Sequence, residues 1–250
     1  MRLPLIDGTD DIAGYRPKHR SGTKRILDYP MVTKSTVLRG SSKSRELSIA
    51  IYQKIGTVSA MKSDTKTLIL DVAQRLIQTR GHNGFSFRDL SREVGVRTAS
   101  IHYHFPTKTD LAVALIRRYR EMIGEAMADI AVQQDSLGKR LDATTRLYMD
   151  TLHNGSRICV CAALAGEYLS LPGAVQVELR KLIDDSERWI SRFLTEGRAR
   201  GEISKDNDPH SLARLWYAAL QGALVVSRAG NHEILRDAAG ALKNLTLRGM

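Results

Sequence analysis

Apolar side chains recur every three or four positions along most of this chain, beginning near residue 65. The first such stripe precedes Gly81 and consists of Leu68, Ile69, Val72, Ala73, Leu76 and Ile77. This spacing places the side chains on one face of an α-helix, and glycine is a common residue just past a helix end. No segment alternates apolar and polar positions over a useful length, so the pattern predicts an all-α fold.

Capping residues divide the next stretch into short helices. Ser86, with Asp89 three residues later, forms a capping-box-like start for the segment FRDLSREV, and Gly95 ends that helix. A third short helix follows and ends before Pro106, and Thr107 caps a long fourth helix. Two short helices joined at a glycine-containing turn predict a helix-turn-helix.

Stripes of the same kind fill the rest of the chain. They predict further helices at about 138–154, 157–170, 174–200, 209–229 and 232–247. The predicted organisation is a helix-turn-helix domain at 61–110 followed by a larger helical domain at 111–250.

Residues 1–60 differ from the rest because no helical stripe persists in them. Basic side chains outnumber acidic ones there, among scattered Gly, Ser and Pro. We interpret the segment as disordered, or as a mis-called N-terminal extension of a chain whose natural start is Met61. The alternative is a basic arm that binds DNA phosphates.

The composition of the chain indicates which classes of partner it binds. Of the 250 residues, 42% are apolar and 26% charged, which suits a folded chain, and the formal net charge is +11. That charge favours a polyanionic partner, either nucleic acid or an anionic membrane surface. No apolar run approaches the length of a membrane helix, so no membrane insertion is expected. The absence of a secretory signal and of a disulfide framework predicts a cytoplasmic protein.

The segment RTASIHYHFPTK invites a metal or catalytic interpretation because it holds two histidines. His102 and His104 lie two residues apart, so on a helix they point to different faces, and no cysteine or acidic cluster is near. Neither histidine has a nucleophile partner in view. We therefore expect no metal site, no catalytic residue, no cofactor and no enzyme activity.

A DNA-reading surface explains the same segment better. Its short helix exposes hydrogen-bonding side chains suited to base edges and phosphate oxygens, and the predicted DNA-binding residues are Ser86, Arg97, Thr98, Ser100, His102, Tyr103 and Lys108. Lys108 opposes the dipole of the helix that it begins, and a bound phosphate would offset this. The alternative for each polar residue is a solvated helix face.

Residues 65–111 resemble the N-terminal DNA-binding domain of TetR-family transcriptional regulators. The resemblance rests on the first helix and its glycine, on Ser86 as a cap, on the GV turn and on HFPTK with its helix restart. It implies an all-helical homodimer whose C-terminal domain binds a small, usually hydrophobic ligand that releases the DNA. The sequence departs from the family at His102, where a phosphate-binding tyrosine is common, and at Arg97, which replaces a small capping residue.

The resemblance also implies that the last two helices pair with their copies in a four-helix dimer interface. The predicted interface residues are Leu215, Ala219, Gly222, Ala223, Leu235 and Leu242. The alternative is that these residues form only the core of one protomer. Two recognition helices in a dimer would reach successive major grooves about 34–36 Å apart and read a palindromic operator.

The stretch RICVCAALAGEYLSLP resembles a subset of the family that includes sensors of electrophiles or oxidants. Cys159 stands eight residues before Glu167, as in that subset. A thiol at a helix N-terminus has a lowered pKa, and Arg157 would add to this effect. Cys161 is expected to point to another face, so a disulfide between the two is disfavoured. The alternative is two small buried hydrophobic side chains.

Aromatic and polar residues on the predicted helices supply further candidates for the ligand pocket. Besides Cys159, the predicted ligand or sensor residues are Tyr148, His153, Tyr168, Trp189 and Trp216, each of which could also be plain core.

The predicted function is a repressor of transcription that binds double-stranded operator DNA. A small hydrophobic or electrophilic effector, or thiol modification, would release the DNA. The alternatives are an activator or ligand-independent regulator of the same fold, and a helical small-molecule-binding protein or enzyme with an incidental basic segment.

Overall fold

A computed structural model describes residues 64–152, 156–230 and 233–247, which all belong to one compact unit. Its helices are α1 Thr65–Arg80, α2 Phe87–Val94, α3 Thr98–His104, α4 Lys108–Gln133, α5 Leu137–Thr151, α6 Val160–Ala165, a 3₁₀ turn Tyr168–Ser170, α7 Gly173–Ala199, α8 Pro209–Ser227 and α9 Ile234–Leu247. The described ranges contain no strand, and the all-α prediction is confirmed. The prediction for residues 1–60 lies outside these ranges.

The first three helices form a small domain, and the capping residues and the glycine predicted from the sequence begin and end its helices. Ser86 and Asp89 close a capping box at the start of α2, and Thr107 closes another with Asp110 at the start of α4. Gly95, at φ 79° and ψ 23°, ends α2 in the left-handed conformation that a side chain would strain.

A compact core holds these three helices together. Leu90, Ile101 and Phe105 contribute to it, with at most 3% of each residue exposed. Burying them fixes how α2 and α3 cross, and therefore which face of α3 meets solvent.

Helix α4 extends from this domain into the larger helical bundle. It packs against α7, which in turn packs against α8, and α8 packs against α9. The buried Glu178 carboxylate on α7 lies 2.9 Å from Arg117 and 3.4 Å from Arg120, both on α4. The Arg117 guanidinium, which donates a hydrogen bond to Glu178, is the main cause of the lowered pKa of that carboxyl. These charges therefore tie α4 to α7.

The prediction of a continuous helix over 157–170 is wrong. Cys159 has extended backbone and caps α6, which begins only at Val160. Gly166 ends the helix by donating to the Ala162 carbonyl, and a 3₁₀ turn follows at Tyr168–Ser170. The break lets Glu167 reach the loop after α1, a tertiary contact that the sequence pattern does not carry.

None of the helices in the described part of the chain is long and apolar enough to cross a membrane.

Candidate DNA-binding face and ligand cavity

Helix α3 presents its polar side chains outward. Tyr103 is 85% exposed and Arg97, which caps the helix without a side-chain hydrogen bond, is also exposed. Ser100 is half-buried, and Ile101 is fully buried beneath it. The chain therefore forms an exposed hydrogen-bonding and aromatic face on a short, anchored helix.

Two of the predicted DNA-binding hydroxyls already have partners. The Ser86 hydroxyl donates to Asp89 Oδ2 at 2.6 Å and accepts from the Asp89 backbone N–H at 3.2 Å. The half-buried Thr98 hydroxyl donates to Ser91 Oγ at 3.2 Å. In the free protein these side chains therefore hold the geometry of α2 and α3.

His102 is exposed but held in place. Its Nδ1 lies 3.1 Å from the Pro106 carbonyl oxygen, and its ring meets Phe87 edge-on at 4.9 Å between centroids. When Nδ1 carries the proton and donates to this carbonyl, Nε2 is the acceptor nitrogen of the ring.

Lys108 is more enclosed than the sequence suggests. Its ammonium donates to the Phe85 backbone carbonyl and lies 4.4 Å from the centroid of the Phe85 ring. Burial lowers the pKa of this amine. Lys108 therefore connects the start of α4 to the loop before α2, and its contact with a DNA phosphate stays a prediction.

A largely apolar cavity lies in the bundle, with about 460 Å³ of empty space counted out to its opening on solvent. Of the predicted ligand residues, Cys159, Tyr148 and Trp189 line it. The prediction for His153 lies outside the described residues.

Two predicted ligand residues do not line this cavity. Trp216 is fully buried and donates from Nε1 to Thr246 Oγ1 at 3.0 Å, so it links α8 to α9 as core. Tyr168 pairs with Arg180, which donates to its hydroxyl and lies 5.9 Å from its ring centroid. Large aromatic side chains at helical spacing mark core and ligand sites alike, which is why the sequence did not separate them.

Cys159 sits at the N-terminus of α6 with its thiol in the cavity. Its Sγ accepts from the Ala162 N–H at 3.4 Å, and it lies 3.2 Å from Gln221 Oε1. A hydrogen bond from the Cys161 thiol, helped by the Ala162 N–H, lowers the pKa of Cys159 to about 7 despite its burial. Arg157 is not among the causes of this shift. The Cys159 thiol therefore ionises more readily than an ordinary cysteine.

The expectation that Cys161 faces away from Cys159 is wrong. Both thiols line the same cavity, because Cys159 is an extended cap and not a helical residue. The Cys161 Sγ lies 2.7 Å from the Tyr217 hydroxyl oxygen, and the neighbouring Cys159 raises the pKa of Cys161 well above its ordinary value. Cys161 thus stays protonated and acts as a donor to Cys159.

Sequence reasoning missed several cavity residues. Gln221, Tyr119 and Thr144 come from three helices and bring polar atoms to an apolar wall. No short motif connects them, and only the tertiary fold brings them together. The one local signal is on α8, where Gln221 interrupts a run of apolar residues.

The segment that carries Cys159 is hydrogen-bonded to the first domain. Ile158 N–H donates to the Gln78 carbonyl on α1 at 3.2 Å. Glu167 accepts from the Asn83 backbone N–H at 2.9 Å, and the Asn83 side chain donates to Ser170 Oγ at 2.9 Å. Both ends of α6 therefore contact α1 or the loop that follows it.

His82 lies inside this junction. It is buried, its Nδ1 is 3.2 Å from Asn83 Oδ1, and burial lowers its pKa. A neutral imidazole therefore fills the space between the loop and α6 at physiological pH.

A solvent-facing stripe without charged residues runs along α8, formed by the exposed Leu215, Gly222, Val225 and Val226 and the half-buried Ala219. Three of the predicted interface residues do not belong to it. Ala223, Leu235 and Leu242 are 6%, 0% and 8% exposed, because the protomer's own helices already cover them. We therefore reassign these three to the core of the protomer.

Comparison with known proteins agrees with this geometry. A family model described as "Bacterial regulatory proteins, tetR family" matches residues 69–115, and one described as "Tetracyclin repressor-like, C-terminal domain" matches residues 138–242. A TetR transcriptional regulator from Legionella pneumophila is 30% identical, with a TM-score of 0.67 over 74% of this chain and 100% of that chain. A TetR-family regulator from Agrobacterium tumefaciens is 29% identical, with a TM-score of 0.70 over 73% and 97%. The transcriptional regulator AcuR from Cereibacter sphaeroides is 26% identical over 150 residues, or 58% of this chain and 68% of that protein.

Proposed function

Because the chain belongs to the TetR family of DNA-binding transcriptional regulators, we propose that it represses transcription as a homodimer and leaves its operator when a small molecule occupies, or reacts with, the cavity at Cys159. The family consists of regulators, so the enzyme alternative is set aside.

One observation carries the proposal: an activated thiol in a cavity lies on a segment hydrogen-bonded to the DNA-binding domain. The Cys159 thiol has a pKa of about 7, and the residue before it donates to the Gln78 carbonyl on α1. A group bonded to Sγ, or a ligand wedged against it, must displace its neighbours because interiors are close-packed.

Displacement at Cys159 would change how the first domain is held. The cap of α6 would move, and its other end carries Glu167, the acceptor of the Asn83 N–H. A ligand shifts the equilibrium between two conformations by its difference in affinity for them. The released conformation would then separate the two recognition helices by a distance that does not match successive major grooves.

The DNA contacts that we propose follow from the exposed face of α3. Arg97 and Tyr103 are exposed and would read base edges or phosphates, with His102, Ser100 and Thr98 beside them. Lys108 and Ser86 would contact phosphate only after giving up part of their present hydrogen bonds.

The dimer that we propose uses the exposed stripe on α8. Leu215, Ala219 and Gly222 lie on one helix face, and small side chains there allow a second helix to approach closely. Apart from its chain neighbours and its own helix backbone, no described residue lies within 4 Å of a Cβ added at Gly222. The exposed Leu245 on α9 would extend the same contact.

The test is a gel-shift of the full chain on the DNA upstream of its own gene, with and without N-ethylmaleimide. We expect a specific, salt-sensitive shift that N-ethylmaleimide abolishes in the wild type. Because the chain has two cysteines, Cys159→Ser and Cys161→Ser each leave one thiol, and only Cys159→Ser should resist release. A specific shift that alkylation of Cys159 leaves intact would refute the covalent route.

A further inference from the structure

A second cavity, different in character from the first, separates α1 from α4 and α5. It has about 580 Å³ of empty space counted out to its opening on solvent. Polar side chains line its α1 side, namely Asp71, Gln74, Arg75 and Gln78, and Arg157 lines it from the segment before α6.

The two cavities are neighbours with a common wall. Tyr119, Ile123, Leu147 and Thr151 line both of them. Beyond this wall the cavity at Cys159 is mostly apolar, whereas all but one of the further residues that line the second cavity are polar or charged. Their arrangement matches the two ends of an amphipathic molecule.

Charges in the second cavity favour an acceptor group on the ligand. The carboxylate of Asp71 is 2.8 Å from Arg118, which offsets its charge. Two guanidinium groups, from Arg75 and Arg157, line the cavity, and neither is without a partner: Arg75 is paired with Glu93 at 2.5 Å, and Arg157 has an interaction of its own. Guanidinium groups are donors only, and they bind a carboxylate through paired hydrogen bonds.

Gln78 gives the cavity a polar side chain without a partner among the residues that the structure describes. The residue is 6% exposed and lines the cavity, and no hydrogen bond joins its side-chain amide to another residue in the described part of the chain. Its amide is not among the fully enclosed unpaired atoms of the described residues, which are His82 Nε2 and Ser227 Oγ. The amide therefore faces the open space of the cavity, where a ligand can reach it.

We propose that the polar cavity is the second compartment of the effector site and that it binds the carboxylate of an amphipathic carboxylic acid. The hydrocarbon part of that acid lies across the common wall, beside Cys159. The carboxylate accepts from the Gln78 amide and from guanidinium N–H groups of Arg75 and Arg157. This inference rests on the proposed function, because it names the class of molecule that the regulator senses.

The placement gives the ligand a direct contact with the DNA-binding domain. Gln78 lies on α1, and its carbonyl already accepts from Ile158, next to Cys159. A carboxylate bound to the Gln78 side chain would therefore act on α1 and on the α6 segment together.

Tryptophan fluorescence of the full chain provides the test. The chain has two tryptophans: Trp189 lines the apolar cavity, and Trp216 is fully buried elsewhere. We titrate hexanoate and hexan-1-ol, which share a chain length and differ in the charged head. We expect saturable changes in emission, with hexanoate binding about tenfold more tightly, as one charge-assisted hydrogen bond supplies.

Variants assign the head group to its compartment. Gln78→Met keeps the length of the side chain and removes its donor, so the preference for hexanoate should fall to about threefold or less. Gln221→Met is the matched control, because Gln221 lines only the apolar cavity. It should weaken both probes alike and preserve their ratio. Thermal unfolding of each variant checks that it is folded.

Three results would overturn the proposal: equal affinity for the two probes, an unchanged ratio in Gln78→Met, or no saturable signal with hexanoate. In each case, release of DNA by N-ethylmaleimide at Cys159 would leave the proposed function standing. Binding of hexanoate with the expected ratio, but no release of DNA by either reagent, would instead remove the proposed function and leave the site.

Discussion

The contacts that build the DNA-binding domain join residues close together in the sequence, whereas those that build the thiol cavity join residues far apart. In the first, Ser86 caps with Asp89 and Thr107 caps with Asp110, each pair three residues apart in the chain. In the second, Cys159 meets Gln221 across 62 residues and Cys161 meets Tyr217 across 56. The first region therefore forms from local signals, whereas the second exists only when the whole bundle is folded.

The two regions also differ in how exposed their proposed binding side chains are. Tyr103 is 85% exposed and is available to a large partner, whereas Cys159 is 5% exposed and is available only to a small one. The junction between them is the loop from Gly81 to Asn83 against Glu167. A regulator needs both kinds of site, and it needs a junction that transmits a change in one to the other.

The largest effect is expected from truncating Ile101, the buried side chain that anchors α3. Only the DNA-binding domain should unfold. Ile101 is fully buried, so Ile101→Ala should destabilise that domain by about 2–5 kcal/mol and abolish specific DNA binding. Hydrogen exchange should then lose protection over 87–105 while α7 and α8 keep theirs. Protection lost evenly along the chain would show that the two regions unfold as one.

The junction can be tested with two glycines that both have a positive φ, 77° at Gly81 and 75° at Gly201. A Cβ at Gly81 would lie 1.6 Å from Glu167 Oε1, whereas no described residue beyond its chain neighbours lies within 4 Å of a Cβ at Gly201. Alanine is strained at both positions, and Gly81 has in addition a ψ of 176°, which essentially only glycine adopts at positive φ. Gly81→Ala should therefore cost more than Gly201→Ala in urea unfolding, and about 1 kcal/mol of its cost should come from displacing Glu167 from Asn83.

Removing the Glu167 side chain gives the control. In a Glu167→Ala background the cost of Gly81→Ala should fall by about 1 kcal/mol, since the clash is gone, and that of Gly201→Ala should stay the same. Gly81→Ala should also reduce the effect of N-ethylmaleimide on DNA binding. A cost of Gly81→Ala that is unchanged without the Glu167 carboxylate would place that cost in the backbone of the loop itself.

Much of the first region follows from the sequence because its determinants are close in the chain. The capping pairs, Gly95 and the buried Ile101 can all be assigned from local sequence signals, and the TetR-family resemblance of this region is confirmed. The DNA contacts of α3 stay predictions, since they depend on a partner that the protomer alone does not include.

The second region could be predicted only in outline. Cys159, Tyr148 and Trp189 line the cavity, whereas Trp216 does not, and the roles of the first three toward a ligand stay predictions. The 157–170 helix breaks at Gly166, and the break brings Glu167 to Asn83, 84 residues earlier in the chain. Helical periodicity carries no information about such a contact, and this is also why the sequence predicts the wrong face for Cys161.

A substitution at Cys161 tests whether its thiol is what lowers the pKa of Cys159. Its thiol is the largest cause of the lowered pKa of Cys159, so Cys161→Ala should raise that pKa towards the ordinary value of about 8.5. The rate of alkylation by iodoacetamide, measured against pH, should then reach its midpoint at higher pH. At pH 7 it should fall about three- to tenfold. An unchanged midpoint near pH 7 would assign the activation to the α6 N-terminus instead.

The smallest effect is expected at Asp150, a half-buried carboxyl on α5 that serves neither region directly. Burial raises its pKa to about 6, against the opposing charge of Arg146. Its unfolded pKa is about 3.9, so the folded state is disfavoured once the carboxyl ionises. The penalty is full above pH 6 and disappears as the pH falls from 6 to 4.

Asp150→Asn removes that charge and should stabilise the protein at pH 7.5 by about 1 kcal/mol, after allowance for the partial exposure of the carboxyl. At pH 4 the variant and the wild type should melt together. Thermal melts at both pH values measure the difference, and other carboxyls cancel in the comparison. Because Asp150 lies in the helical bundle, DNA binding at pH 7.5 should be unchanged. A gain in stability that is the same at both pH values would mean that packing, and not ionisation, sets the effect.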